Sequence, residues 1–309
     1  MATSEADRLR AKRSRLEARA RIIQLVRQFF IRRDFLEVET PLRTPTQAPE
    51  EHTDAVESDG WLLATSPELP MKRLLAAGYE RIFQICKAFR GRERGARHVP
   101  EFALLEWYRS GEGYHALMDD CEQLLTEVAA GLGIAGAVTY QGTTVSLGPP
   151  WPRITVDEAF RRWAGWAPGP EPDPEKFNHD MVSLVEPELV GDLPVFLTDY
   201  PASMAALARL KPSDPTVAER FELYATGLEL ANGFSELTDP LEQRDRFRRA
   251  NAERARQGRA TYRTPEAFLT ALETMPPSAG IALGIDRLVM FFTDASSIDE
   301  VVAFTPEEL

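Results

Sequence analysis

Residues 81–109, RIFQICKAFRGRERGARHVPEFALLEWYR, constrain the fold of this chain more than any other stretch. Two strand-like runs flank an arginine-rich loop containing Gly91 and Gly95, and the pattern predicts an antiparallel hairpin. On the outgoing run, side chains alternate between faces. Phe102, Leu104, Glu106 and Tyr108 share one face, and Ala103, Leu105 and Trp107 take the other. Glu106 and Tyr108 therefore point the same way.

The flanking sequence predicts how this hairpin is covered. Leu16, Ile22, Ile23, Val26, Phe29 and Phe30 recur at helical spacing, so a long amphipathic helix is expected from Leu9 to Phe35. It leads into Phe35–Pro41, whose proline places the segment at a sheet edge or a dimer contact. Residues 61–78 read as a short strand, a turn at Ser66-Pro67 and a helix through Met71, Leu74 and Leu75. A helix is expected over 115–132, and residues 141–180, rich in Pro, Gly and Trp, read as a variable insertion with little chemistry. LPVFLTDYPASMAAL supplies another strand, and ERFELYATGLELANGFSEL a hairpin turning at Thr226-Gly227. A polar helix over about 239–257 follows, and SAGIALGIDRLVMFF closes the chain as a strand and an apolar helix. Hairpin-paired strands outnumber the helices between them. The expectation is an α+β fold, an antiparallel sheet flanked by helices, formed as a single domain over 1–309.

Composition narrows the function classes. At 43% hydrophobic the chain can bury a large core, and no apolar run reaches membrane-spanning length. The opening MATSEADRLRAKRSR has no apolar signal region, so a cytoplasmic protein is expected. Cys86 and Cys121 lack the spacing of a disulfide framework or a zinc site. A net charge of -12 argues against nucleic acid binding over the whole surface. Basic residues do concentrate between Arg8 and Arg33 and again between Arg244 and Arg263. Solvated helix faces and docking surfaces for an acidic partner fit these stretches equally.

Three local patterns carry candidate chemistry. Glu222, Glu229 and Glu236 recur at equal spacing in apolar surroundings, with Glu222, Tyr224 and Glu229 on one face. They can serve Mg²⁺ and an ammonium group, or lie exposed at a sheet edge, which the spacing alone favours. Arg90, Arg92, Arg94, Arg97 and His98 crowd one loop, where a phosphate grip and a solvated loop are equally compatible. Gly280 and Gly284 mark either a bulge or a backbone passing close to something bulky. Neither a P-loop string nor a dinucleotide-binding string occurs.

Taken together, the helix and strand ending at Pro41 (about 9–45), FRGRERGARHVPEF and GIALGIDRL resemble the class II aminoacyl-tRNA synthetase signature. SPELPMKRL, HVPEFALLEWYR and ELANGFSELTDPLEQ resemble the lysyl-tRNA synthetase group within that class. The first motif begins close to Met1, which leaves no room for the anticodon-binding domain of that group. This layout, with YPASMAALA and ALGIDRL, is similar to the elongation factor P lysine ligase family, and similarity extends from about Leu9 to Phe304.

The resemblance implies ATP and Mg²⁺ as cofactors, Arg90 and Arg287 as catalytic residues, and Glu222 and Glu229 as metal ligands. Arg90 would hold the α-phosphate and His98 the far phosphates, with adenine between Phe102 and Arg287. Arg92, Glu93, Val99, Glu229, Leu230 and Gly284 would complete the nucleotide site. Val99 and Arg92 depart from the family pattern, and Glu93 would supply the carboxylate that relatives carry near position 92. Ser66, Pro67, Glu68, Tyr108 and Glu236 would receive a lysine-like amino acid. Ala282 stands where lysyl-tRNA synthetases usually have glycine, consistent with a preference for (R)-β-lysine. The implied acceptor is a lysine of elongation factor P, the implied assembly a homodimer, and tRNA binding is not expected. A minimal tRNA-charging enzyme and a catalytically silent paralogue are the competing readings.

Overall fold

The computed structural model describes residues 4–309. Nine strands form the main sheet: β1 (Leu36–Glu37), β2 (Arg81–Phe89), β3 (Glu101–Ser110), β4 (Arg153–Thr155), β5 (Val195–Pro201), β6 (Leu210–Lys211), β7 (Asp214–Ala225), β8 (Leu228–Ser235) and β9 (Ser278–Gly284). Their order is β1-β2-β3-β9-β8-β7-β5-β4, with β6 paired to β7. Six longer helices accompany them: α1 (Glu5–Ile31), α2 (Glu68–Ala76), α3 (Tyr114–Gly131), α4 (Pro240–Arg256), α5 (Glu266–Leu272) and α6 (Ile285–Phe292).

Both predicted hairpins form. β2 and β3 pair antiparallel with Gln84 opposite Glu106 and Ile82 opposite Tyr108. The β7–β8 hairpin turns on Thr226 (φ 46°) and Gly227 (φ 73°), the pair of left-handed residues that a tight turn matching the strand twist requires. The β1 segment lies at the sheet edge, as its proline predicts, but pairs parallel to β2. A second parallel pair joins β4 to β5. Strand β4 lies within 141–180, so part of the stretch read as a variable insertion joins the sheet. This three-residue strand is too short for a periodic signal, and Trp151, Val156, Phe160 and Phe177 around it are buried.

The two sheet faces are covered unequally, and this places the cleft. On one face Ile22, Val26, Phe29 and Phe30 of α1 pack with α3 and α6 over Phe83, Leu105, Trp107, Ile281 and Leu283 in one continuous core. On the other, Met71 and Leu75 of α2 join Phe247 of α4 and Phe268 and Leu272 of α5 over Ile82, Tyr108 and Phe234, and Phe160, Phe177 and Met181 pack over Leu197, Tyr200 and Tyr224. The rest of that face, carrying Phe102, Leu104, Asn232 and Ala282, is left as an open cleft of about 860 Å³ counting its mouth.

The basic stretches are largely neutralised within the chain. Arg8 and Lys12 meet Glu308, Arg15 meets Glu300, Arg19 meets Asp286, and Arg32 and Arg33 meet Glu127. In the second stretch Arg244, Arg246, Arg249 and Arg256 each pair with a nearby acid, and Arg254 is fully buried. Most of these arginines thus pair with acids of the same chain. Among the described residues no helix is long and apolar enough to cross a membrane.

Candidate active site

Arg90, Glu93, Arg97, His98, Val99, Phe102, Glu229, Leu230, Gly284 and Arg287 line the cleft, and a buried acidic cluster adjoins it, Glu106 standing opposite the cleft-lining Ala282 in register. The Arg90 guanidinium lies 5.2 Å from the Phe102 ring centre, and its Nε donates to the Thr65 carbonyl at 3.4 Å. Arg287, at the start of α6, donates from Nη1 to the Glu229 carboxylate (2.9 Å) and contacts His98 Nε2 through Nη2 (2.6 Å). Burial, and then the adjacent Arg287, hold the His98 pKa below the usual imidazole value. His98 is therefore neutral near pH 7 and accepts from Arg287, so it offers a phosphate a hydrogen bond rather than a charge.

Two aligned features keep this cleft open. Gly284 leaves room above Arg287, since a Cβ there would meet only Arg287 carbons at 3.8 Å. Asp286 is buried and accepts from the Ala103 N–H (2.7 Å) and Arg19 Nη1 (2.5 Å), which ties the first turn of α6 to β3 and α1. Sequence reasoning did not single out Arg19; nothing local to its helix signals the partner.

The structure removes Arg92 from the cleft. Its backbone is left-handed (φ 68°), its side chain is 83% exposed, and it pairs loosely with Asp54 at 3.8 Å. Arg94 is likewise held elsewhere, between Asp299 and Glu307.

Glu222 and Glu229 lie on adjacent strands, with Tyr224 opposite Glu229 in register. Glu222 accepts from Arg220 Nη2 and from the Tyr224 hydroxyl, each at 2.7 Å. Burial, and next the charge of Glu229, raise its pKa. Glu229 lines the cleft and Glu222 stands opposite the cleft-lining Asn232; two carboxylates that repel each other are oxygen donors suited to Mg²⁺, and a cation would relieve the repulsion. Among the described residues no third His, Cys, Asp or Glu completes a protein cage. Nucleotide phosphates would have to supply the remaining ligands.

In the acidic cluster the predicted substrate residues converge. Ser66 Oγ donates to Glu106 Oε1 (2.5 Å) and accepts from the Glu68 N–H (2.9 Å). The Tyr108 hydroxyl donates to Glu106 Oε2 (2.7 Å). Pro67 is the N-cap of α2 and sets Glu68 in its first turn. Lys72, one turn on, is 1% exposed and places Nζ 2.5 Å from both Glu68 Oε1 and Glu236 Oε2. Neither Glu236 oxygen has a well-aligned hydrogen-bond donor, although the residue is buried. Gly280 makes this crowding possible, because a Cβ there would lie 2.2 Å from Tyr108 Cε1 and 2.5 Å from Glu236 Oε1. Of the two meanings the glycines allow, close approach holds at Gly280.

Glu106 and Lys72 are functional candidates that sequence reasoning left unassigned. The alternation of β3 already faces Glu106 with Tyr108, and the four-residue step from Glu68 signals Lys72. Burial disfavours Lys72 as a cation, but Glu236 and Glu68 together outweigh that and raise its pKa, so it stays charged. Three carboxylates then face one ammonium. Burial followed by the Glu68 charge pushes Glu106 up to about 7, and burial pushes Glu236 up to about 8 despite Lys72. These two carboxyls thus retain protons near neutral pH.

This retention has a measurable sign. Unfolding lets Glu236 titrate near its ordinary value, so between about pH 5 and 8 the folded state holds the extra proton. Stability of the ligand-free protein is expected to fall with rising pH by about 1.4 kcal/mol per unit for each such group. Glu236→Gln removes one group, so its thermal denaturation measured from pH 5 to 8 should show a shallower fall. An equal slope in both proteins would contradict the assignment.

A mostly antiparallel sheet with a cleft on one face, an arginine above an aromatic ring, and an arginine at the start of the helix after the last strand fit a class II aminoacyl-tRNA synthetase core. The family of class II tRNA synthetases (D, K and N) matches residues 5–308, and the chain belongs to it. Within that family it is 40% identical to the elongation factor P–(R)-β-lysine ligase of Vibrio cholerae serotype O1, over 94% of this chain and 95% of that protein. It is 41% identical to the protein of the same name from Haemophilus influenzae strain Rd, over 93% of each. The lysine–tRNA ligase of Moorella thermoacetica is 38% identical over 93% of this chain, which spans 64% of that longer enzyme.

Proposed function

We propose that this protein is an ATP-dependent ligase that activates a lysine-type amino acid, (R)-β-lysine, and transfers it to a lysine side chain of elongation factor P. The names and full-length similarity of the Vibrio and Haemophilus proteins support the acceptor and the amino acid. The observation that carries the substrate class is the buried cluster of Glu68, Glu106 and Glu236, three acids with only the Lys72 ammonium to balance them. Such a pocket favours a substrate ammonium and rejects an apolar side chain, which would leave the acids uncompensated.

Class II synthetases use ATP and typically Mg²⁺. When bound, Mg²⁺ would be held by Glu222 and Glu229 and would neutralise phosphate charge. Arg90 would grip the α-phosphate, and Phe102 and Arg287 would sandwich adenine. A substrate carboxylate oxygen then attacks the α-phosphorus, the bond to pyrophosphate breaks, and an acyl-adenylate forms. In the second step an uncharged acceptor amine attacks the acyl carbon and AMP leaves. No protein nucleophile is required, and alignment supplies most of the acceleration.

Exposed Ile31, Leu36, Leu42 and Trp61 near the β1 edge support a homodimer formed there. The similarity to the Moorella enzyme keeps tRNA as the second acceptor to test. Purified protein with ATP, Mg²⁺ and (R)-β-lysine should add mass to elongation factor P and not to tRNA. Charging of tRNA alone would favour the second reading. Glu229→Gln is expected to raise the Mg²⁺ concentration needed for half-maximal pyrophosphate exchange about 10-fold. An unchanged requirement would remove Glu229 from the metal site.

A further inference from the structure

The loop between β2 and β3 carries the proposed phosphate-binding residues, yet its composition works against order. Arg90, Arg92, Arg94 and Arg97 repel one another with Glu93 as their nearest acid in sequence, and Gly91 and Gly95 loosen the backbone. Fixing such a loop on a ligand costs about 1–2 kcal/mol for each residue that becomes ordered. Contacts that fix it beforehand spare the ligand that cost.

Residues 298–308 supply such contacts. Arg94 Nε donates to Glu307 Oε1 (2.8 Å), and Nη2 donates to Glu307 Oε2 and to Asp299 Oδ2 (2.9 Å each). The guanidinium fork thus takes one whole carboxylate and one oxygen of a second. Beside it the Ile298 N–H donates to the Ala96 carbonyl (2.8 Å), and Gly95 and His98 exchange backbone hydrogen bonds (3.0 and 3.3 Å) that carry the fixation on to His98. Ile298 itself lines the cleft.

The segment that grips Arg94 is anchored in turn. Ile298 and Val301 are buried, Glu300 pairs with Arg15 (3.1 Å), and Glu308 pairs with Lys12 (3.3 Å) and Arg8 (3.5 Å) of α1. The contact also sorts the arginines of the loop. Arg94 is drawn outward, while Arg90 and Arg97 stay on the cleft wall, Arg97 donating from Nη1 to the Gly227 carbonyl (2.8 Å).

Building on the nucleotide site proposed above, we infer that Arg94, clamped by Asp299 and Glu307, is a positioning residue for ATP. It acts without touching the nucleotide, by holding the loop of Arg90, Arg97 and His98 against the 298–308 segment before ATP arrives.

Two variants separate this clamp from a plain charge effect. Arg94→Gln removes a cation beside a site for a polyanion, so either account predicts weaker ATP binding. Asp299→Asn combined with Glu307→Gln keeps that cation and removes two anions, so charge alone would tighten ATP binding and loss of the clamp would weaken it. Calorimetric ATP affinity of the intact protein is expected to fall roughly 3- to 10-fold in both, the scale of an exposed bidentate network, and no further when all three changes are combined. In pyrophosphate exchange the KM for ATP should rise by the same factor while kcat at saturating ATP stays as in the unmodified protein, and the Ile298 amide should exchange its hydrogen faster. Unchanged or tighter ATP binding by the Asp299→Asn, Glu307→Gln protein overturns the clamp, as do additive losses or a kcat that falls along with affinity. ATP binding without lysine-dependent exchange in the unmodified protein would instead overturn the proposed reaction and leave the clamp to be decided by the affinities. Failure of the unmodified protein to bind ATP would overturn both.

Discussion

Replacing Gly280 with alanine is expected to abolish amino acid activation while nucleotide binding survives. The added methyl would sit 2.2 Å from Tyr108 Cε1 and 2.5 Å from Glu236 Oε1, both side chains being buried. Neither can swing away freely, since Tyr108 donates to Glu106 and Glu236 abuts Lys72. Overpacking of this kind costs about 1–3 kcal/mol of stability, and displacing substrate-positioning groups by about 1 Å costs about 100-fold in rate. The expected result is a loss of at least about 100-fold in amino acid-dependent pyrophosphate exchange. ATP binding by titration calorimetry should change little, because Gly284 and Arg287 line the cleft rather than the acidic cluster. Near-normal exchange by Gly280→Ala would mean that the acidic pocket is not the amino acid site.

Glu236→Gln should produce the second large effect, and its character differs. The variant keeps the shape of the pocket but removes the carboxylate that meets Lys72 and, in the proposed complex, the substrate. Where Glu236 is ionised, above about pH 8, losing one partner of a buried charge pair costs about 3–5 kcal/mol, which corresponds to roughly 10²- to 10³-fold or more in kcat/KM for the diamine. The loss should be greatest at high pH. In the unmodified protein Glu236 ionises near pH 8 in the empty site, so rising pH strengthens its attraction for a cation. The variant lacks that gain. Steady-state exchange kinetics across pH 6 to 9 measure it directly, and parallel profiles for the two proteins would contradict the role given to Glu236.

Much of this architecture is legible in the sequence because its strands are long and strictly alternating. The run from Phe102 to Tyr108 sorts core from cleft correctly: Leu105 and Trp107 are buried against α1 and α3, while Phe102, Leu104 and Glu106 face the open side. Thr226-Gly227 fixes the second hairpin for the same kind of local reason. Three-residue β4 has no such signal, and its place beside β5 depends on contacts made by distant residues.

The site is legible where charge and position coincide and obscure where they do not. Glu68, Tyr108 and Glu236 do come together, although they are drawn from α2, β3 and the residue after β8. Lys72 is harder to assign, because a lysine in an amphipathic helix ordinarily faces water and only the tertiary pairing buries it. Arg92 misleads for a conformational reason, its left-handed backbone turning it away from its arginine neighbours.

The central claim is that the acidic cluster adjoining this cleft selects a diamino acid for activation by ATP. Its most direct test is ATP–pyrophosphate exchange by the purified protein with (R)-β-lysine, α-lysine, norleucine and no amino acid. The account predicts exchange with (R)-β-lysine and not with norleucine, abolished by Gly280→Ala. Exchange with norleucine equal to that with (R)-β-lysine, or no exchange with either lysine, would contradict it.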